Sequence, residues 1–418
     1  MTNDLDRAPT GGAESGTALA RHGQLARPAA WRSVAGLIAG ALAVLLVAGA
    51  SISAIVVHQL GSDIDTFVLP GQTAGEQAPS IAAYEGGFNI LIVGSDVCED
   101  DSGCNGRGSA ELNDVTMLLH VSEDQTNATA VSFPRDLVVP IPECPKADGS
   151  GSYSAMSARP INETLSYGGL SCTVLTVQEL TGLDIQFAGL IKFSGVIAMS
   201  DAVGGVPVCV SGPVVDAYSG INLPEAGTYT LSGSEALSFL RTRHGVGDGG
   251  DLTRISSQQV YLSSLLRTLK SADTLGDPVK VYNLARAATS SMTLSESFAQ
   301  LDTLAAVALA LKDVPLESFN FVQYPGSTEG TGVFAGKVQP VEAKATELFD
   351  KIRADEPFTL ATGGDGQGSV ASPDAPAATG TPVEPEASAA PSASAEAPVE
   401  ELDQRGQSAA DVTCSLAN

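Results

Sequence analysis

The sequence predicts an α/β domain held outside the cell by a single membrane-spanning helix. Three observations lead there. Short apolar runs of strand length, such as Phe88–Val93 and Ala128–Phe133, alternate with stretches of helical periodicity. A charge-free apolar run fills residues 33–57, with Arg21, Arg27 and Arg32 before it and Asp63 and Asp65 after it. Six cysteines, even in number and without a C-x-x-C, fit disulfides in an oxidising compartment.

The 418 residues suffice for one or two domains. Lys plus Arg is 22 against 48 Asp plus Glu, a formal net charge of −26, so a basic nucleic-acid footprint is missing. His22, His58, His120 and His244 show no ligand spacing. Transition-metal chemistry is therefore disfavoured, whereas oxygen-ligated magnesium stays open.

Taken in order, residues 1–32 are polar and Gly/Ala-rich and read as a disordered cytoplasmic tail. As a helix, residues 33–57 would reach about 37 Å, more than the roughly 30 Å of bilayer hydrocarbon. The arginines ahead of the run place the amino terminus in the cytoplasm and the rest of the chain outside. A cleaved signal peptide, with Ala48-Gly49-Ala50 at its cleavage site, is the competing reading. Its apolar core should span only about 7–15 residues, which favours an uncleaved anchor. Residues 58–85 read as an extracellular stalk, and 86–360 as the folded domain.

Gly94-Ser95-Asp96 sets an acid just past the first strand, at the edge where open α/β sheets bind ligands. Asp114 leads into a second strand; Glu123–Asn127 turns, and Ala128–Phe133 returns as its hairpin partner, ending in Pro134-Arg135-Asp136. Ser171 is a candidate N-cap for a helix over 172–180, with Gly182 beyond its end. Phe187–Ile191 and Val206–Val210 read as buried strands flanking a helix that ends near Val203. Ser232 and Glu235 form a capping-box pattern for the helix that delivers Leu240 and Arg241.

The stretch Leu240–Gln259 then places Arg241, Arg243 and Arg254 around Gly245, Gly247, Gly249 and Gly250. The glycines let a loop aim three guanidiniums at one anion, and guanidinium forks suit phosphate oxygens. The plainer alternative makes Arg241 and Arg243 helix-end cations and Arg254 a solvated charge. Leu262, Leu265, Leu266 and Leu269 share a helical face, as core or as the lining of a lipid-tail groove, and Asp251 serves as N-cap or as catalytic acid. Residues 295–311 predict an amphipathic helix and 319–324 a strand. Gly336-Lys337 resembles a phosphate loop only superficially, because Thr331 and Val338 stand where a glycine and a hydroxyl residue are needed. Residues 361–407 read as a disordered Pro/Ala/Ser/Glu-rich linker, with 408–418 a terminal segment holding Cys414.

G-S-D, N-D-V-T, S-F-P-R-D-L, I-N-E-T-L-S-Y-G-G, D-A-V-G-G-V, F-L-R-T-R-H and D-L-T-R-I-S-S-Q-Q follow one another within residues 88–270. In this order they resemble the LytR–CpsA–Psr family. The resemblance implies an α-β-α domain with a central mixed sheet flanked by helices. It implies a phosphotransferase, with pyrophosphatase side activity, that moves a polyprenyl-pyrophosphate-linked glycopolymer, anionic or otherwise, to peptidoglycan, usually with magnesium. By motif match, Asp96 and Asp114 correspond to the metal-binding acids, and Arg135, Arg241, Arg243 and Arg254 to the pyrophosphate-gripping arginines. The acceptor hydroxyl needs a base, for which Asp136 and Asp251 are the candidates; orienting Arg135 is the other role open to Asp136. Two positions depart from the pattern. Leu112 stands where many members carry an arginine, with Arg107 the candidate replacement, and Ser257 stands where many carry a second arginine before the Gln pair. A non-catalytic module that binds the same lipid-linked polymer is one alternative. A membrane-bound regulator of gene expression is another, although the cytoplasmic tail has no helix-turn-helix.

Cys144 and Cys172 both lie at element ends, and Cys98 and Cys104 close easily across a loop, which leaves Cys209 for Cys414. The pairing Cys98–Cys104, Cys144–Cys172 and Cys209–Cys414 is one of about fifteen connectivities.

Overall fold

The computed structural model describes residues 64–95, 111–146, 149–361, 364–373 and 399–418. The predicted anchor at 33–57, Asp96, Arg107, Cys98 and Cys104 lie outside the described residues. Among those described, no helix is long and apolar enough to cross a membrane.

An eight-stranded mixed sheet forms the centre. In chain order the strands used below are β1 (Asp65–Phe67), β2 (Phe88–Ser95), β3 (Asn113–Val121), β4 (Ala128–Phe133), β5 (Phe187–Lys192), β6 (Val206–Val210), β7 (Gly227–Leu231), β8 (Met292–Ser295), β9 (Phe319–Gln323), β10 (Ser369–Ala371), β11 (Gly406–Ser408) and β12 (Thr413–Ser415). The central sheet runs β1-β8-β5-β2-β3-β4-β9-β11, and a smaller one runs β7-β6-β12-β10. The predicted hairpin is β3–β4, antiparallel, while β2 pairs β5 and β4 pairs β9 in parallel.

The strands are apolar on both sides because both faces are covered. Leu91, Val93, Leu118, Val131, Phe133 and Val322 point to one core, closed by helix α1 (Thr164–Thr181) and by helix α7 (Glu342–Arg353). Phe88, Ile90, Met117, Leu119, Ala130 and Phe321 point to the other, closed by α6 (Leu301–Asp313) and by Leu262 and Leu266 of α4 (Asp251–Lys270). The remaining helices are α2 (Phe193–Ala202), α3 (Gly233–Arg241) and α5 (Pro278–Ser291). Helices on both faces of the sheet give the α-β-α layering.

Several local predictions are corrected. The segment read as a stalk enters the fold: β1 pairs with β8, and Leu69 is buried in the core. Ser171 caps nothing, since α1 starts earlier and is interrupted at Gly168 and Gly169. Gly168 fits there because a Cβ would meet the Pro145 carbonyl oxygen at 2.6 Å, beside the Cys144–Cys172 disulfide. Ser232 stands at the start of α3, but its side chain makes no capping bond. Residues 292–295 form a strand, because β5 and β1 take up their backbone groups, and the helix starts only at Leu301. Residues 369–371 and 400–402, within the predicted linker, and 406–408, across its end, are strands. The linker's composition cannot build a core of its own, but existing sheet edges supply one. Cys209 and Cys414 are bonded and sit opposite each other in β6 and β12.

Candidate active site

The carboxyl ends of β2, β4 and β5 and the beginning of the antiparallel β3 share one edge of the central sheet. That edge presents Asp114 on β3, Arg135 just past β4 and Phe193 just past β5. Across from it, α3 ends at Arg241, a glycine loop carries Arg243, and the first turn of α4 carries Asp251 and Arg254. Gly247 has φ +51°, and a Cβ there would lie 2.5 Å from Thr253, so the loop folds tightly only with glycine at this position.

The charged groups form one connected web. Arg135 donates from Nη1 to Asp114 Oδ1 at 2.6 Å, and its Nε lies 3.7 Å from Asp136. Arg243 reaches Asp251 Oδ1 at 2.9 Å and Asp136 at 3.8 Å. Arg254 bonds the same Asp251 oxygen at 2.6 Å and donates to the Asp114 carbonyl at 3.2 Å, joining residues 140 apart in sequence. Arg254 is 5 % exposed, so the solvated-charge reading is excluded. Arg241 stands apart: its guanidinium lies over the Phe193 ring at 4.7 Å and has no carboxylate partner among the described residues.

These arginines close one end of a cavity of about 480 Å³. Arg135, Arg241, Arg243, Arg254 and Asp114 line it together with Ile92, Met117, Ile191, Val196, Leu237, Leu240 and Leu262. Among the four leucines considered for a lipid groove, only Leu262 lines the cavity. Leu112 also lies on the wall, so this departure from the motif adds apolar surface.

Burial and neighbouring charge act on Asp136 and Arg254 within the web. Burial would raise Asp136, but the Lys337 hydrogen bond and the charges of Arg135, Lys337 and Arg243 outweigh it and hold the group below the usual carboxylate range. Burial lowers the Arg254 guanidinium; Asp251 opposes that, and the like charges of Arg243 and Arg135 add to it. Neither Asp136 nor Asp251 is among the residues lining the cavity. Both stand behind the arginines and orient them. Asp251 is also not an N-cap: Gly250 holds that place, and the Asp251 carboxylate turns to the two arginines instead.

Sequence reasoning missed three supports. Asp216 accepts from the Thr242 hydroxyl at 2.8 Å and from the Arg243 and His244 amides, fixing the loop from below. Gln258 ties α4 to the Leu240 carbonyl at 2.9 Å. Lys337, dismissed as a phosphate-loop lysine, donates to Asp136 at 3.1 Å. No local pattern marks Asp216 or Lys337, because both act across long sequence separations.

The LytR_cpsA_psr family model matches residues 64–352. The chain belongs to the LytR–CpsA–Psr family. It is 33 % identical over 298 residues to the cell wall biosynthesis protein LcpA of Corynebacterium glutamicum, a match covering 64 % of this chain and 55 % of that protein. Identity to the polyisoprenyl-teichoic acid–peptidoglycan teichoic acid transferase TagT of Bacillus subtilis is 25 % over 264 residues, covering 59 % of this chain and 76 % of TagT. The chain thus spans about half the length of LcpA, and likewise of the probable cell wall biosynthesis protein LcpB from the same organism. The fold is similar to that of the LytR-Csp2A-Psr enzyme from Actinomyces oris, with a TM-score of 0.51 at 23 % identity, covering 69 % of this chain and 95 % of that one.

Carboxylate oxygen at this end of the cavity is the donor chemistry magnesium takes. Asp114 keeps one oxygen on Arg135 and lines the cavity, and Ser95, the residue before Asp96, pairs with Asn113, the residue before Asp114. Magnesium commonly binds one or two carboxylates and completes its shell with water and phosphate. Asp114 fits that donor set as one carboxylate, and Asp96, the second candidate ligand, lies outside the described residues.

Proposed function

We propose that the domain binds a polyprenyl-pyrophosphate-linked glycopolymer and transfers the polymer to a hydroxyl of peptidoglycan. One observation carries this reading. A single cavity is apolar along most of its wall and closed by four arginines, and the buried Nε atoms of Arg135, Arg243 and Arg254 find no hydrogen-bond acceptor among the described residues. Buried donors left without acceptors suit an anionic headgroup, and the apolar wall suits the first isoprene units behind it. Membership of the family and the transferase activity for which TagT is named support the same chemistry.

In the reaction, the acceptor oxygen bonds to the phosphorus on the polymer side. The bond to the bridging oxygen breaks, polyprenyl monophosphate leaves, and the proton of the acceptor hydroxyl passes to water. Negative charge grows on the non-bridging and leaving oxygens, where guanidiniums fixed in advance stabilise it. Asp136 and Asp251 hold those guanidiniums in place. A loose transition state asks little of a base, which suits their position behind the arginines. Magnesium, held by Asp114 and Asp96, would supply a further positive charge. Water entering in place of the acceptor would give pyrophosphatase activity. We place the domain outside the cell, with residues 33–57 in the membrane; the disulfides Cys144–Cys172 and Cys209–Cys414 support an oxidising compartment.

The test is the affinity of the full chain for farnesyl pyrophosphate, read alongside transfer of a lipid-linked polymer. Arg241→Ala and Arg243→Ala should each weaken binding by roughly ten- to 150-fold, the range for a lost charge-assisted hydrogen bond. Unchanged affinity in both variants would remove the site. Tight binding with no transfer would leave a binding module.

A further inference from the structure

A second cavity, of about 420 Å³, opens at the carboxyl end of β9, lined by Gln323, Tyr324, Lys344, Asp365, Asp403 and Arg405 among others. Gln323 is 3 % exposed, yet its side-chain amide makes no hydrogen bond among the described residues, and the buried Oε1 is without a donor. A buried amide left unmatched is destabilising, which makes this one a candidate for satisfaction by a ligand. The neighbouring Tyr324 is 2 % exposed, and its hydroxyl also has no hydrogen-bond partner among the described residues. Burial, helped by Glu342, pushes that hydroxyl up to about 12, so it remains a neutral O–H donor across the physiological range. The half-buried Arg405 guanidinium forms no ion pair among the described residues. The other charges are occupied. Lys344 holds Asp403 at 2.8 Å, and Asp365 accepts the amides of Gln367, Gly368 and Ser369 and the Ser256 hydroxyl.

The free groups are therefore an amide, a phenol and one guanidinium. An amide and a phenol match the hydroxyl and acetamido groups of an amino sugar, and a guanidinium matches a carboxylate. Position adds a second argument. Gln323 is in register with Ser132 on β4, three residues before Arg135, and Ser256, which bonds Asp365, lies two residues after Arg254. Both cavities thus open on the same sheet edge, with the first turn of α4 between them.

We propose that this second cavity is the acceptor subsite, binding a carboxylate-bearing amino-sugar segment of peptidoglycan beside the lipid-pyrophosphate cavity. The assignment rests on the transferase reading above and names the half of the reaction that reading leaves without residues.

The experiment titrates the full chain in detergent with N-acetylglucosaminyl-N-acetylmuramyl dipeptide and, separately, with chitobiose, which has no carboxylate. Gln323→Leu should weaken both probes by about tenfold. Arg405→Gln, a change at a half-exposed position that leaves the core intact, should weaken the muramyl probe alone. Both variants should keep the wild-type affinity for farnesyl pyrophosphate. No binding of the muramyl probe to wild type, or wild-type affinity for it in both variants, would overturn the subsite. Such a result with polymer transfer intact would leave the transferase reading standing. Muramyl binding that responds as expected, with farnesyl pyrophosphate affinity unmoved by Arg241→Ala and Arg243→Ala, would remove the lipid site and keep the saccharide one.

Discussion

Asp114 lies on β3 and Arg135 just past the end of its hairpin partner β4, so a short turn and a run of apolar alternation set where they stand. Arg243, Asp251 and Arg254 stand on a loop and a helix start, which reach the sheet edge only through contacts far away in sequence. Their support comes from behind. The Gly247 amide donates to the Leu416 carbonyl, Val246 bridges Ala417, and the Asn418 side chain donates to the His244 carbonyl. On the back of α4, Ser257 meets Ser415, and Gln407 reaches the Gln259 carbonyl. One wall of the site is therefore held by its own strands, and the other by the last few residues of the described chain, tied down by Cys209–Cys414. A site assembled this way separates stability from local sequence on one side only.

Breaking the tether should give the largest effect. Cys209 and Cys414 are 205 residues apart, and chain entropy for such a loop is worth about 5 kcal/mol, an upper figure. The 28-residue separation of Cys144 and Cys172 corresponds to about 3.5 kcal/mol in the same way. Cys414→Ser should lower the thermal midpoint more than Cys144→Ser and should also weaken farnesyl pyrophosphate binding by the folded protein. Equal losses of affinity in the two variants would erase the distinction between the walls.

The next effect is electrostatic and tests the walls against each other. Asp251→Ala leaves Arg254 and Arg243 without their shared carboxylate, and Arg254 is nearly fully buried. Removing one partner of a buried pair typically destabilises by about 3–5 kcal/mol. Asp114→Ala removes the partner of Arg135, whose side chain is 27 % exposed and has Asp136 nearby, so about 1 kcal/mol is expected. Urea unfolding of the two variants measures the difference, and a larger loss for Asp114→Ala would reverse the comparison.

The same contrast explains what could be read from the sequence. β2, β3 and β4 were legible because buried strands bounded by turn residues leave a local signature, and their ends gave Asp114 and Arg135. The arginine loop was legible as a cluster of charges on glycines in an acidic chain. Its supports were not. Asp216, Lys337 and Gln407 act through tertiary contacts that leave no spacing pattern, and β10 and β11 lie in or beside a Pro/Ala/Ser-rich stretch whose composition argues against strands. Ser171 and Ser232 have side chains able to cap a helix, but α1 restarts at a glycine pair and Ser232 makes no side-chain bond. Cys209–Cys414 was readable by elimination, and it pointed to the returning tail without showing what the tail holds.

The smallest effect concerns the seam between the walls. Asp136 lies 3.7 Å from Arg135 on one wall and 3.8 Å from Arg243 on the other, and Lys337 donates to its second oxygen. Its carboxyl is held below the usual range, burial being outweighed by these cations, and so is that of Asp365, where burial is outweighed by the Ser256 hydroxyl and three backbone amides. A carboxylate with a depressed folded-state pKa stabilises the fold fully above its unfolded value, about 4, and loses that contribution as pH falls through the lower folded value. Stability should therefore be flat from neutral pH down to about 4 on account of these groups, then decline. Lys337 is 40 % exposed, so its pair with Asp136 is worth no more than about 1 kcal/mol at neutral pH. Lys337→Met should accordingly change the neutral thermal midpoint little, yet start the acid decline at a higher pH, because Asp136 loses its hydrogen-bond donor. Melting curves between pH 2.5 and 6 read both effects in one series. An acid limb identical in wild type and variant would show that Arg135 and Arg243 alone hold Asp136 ionised, with Lys337 outside the seam.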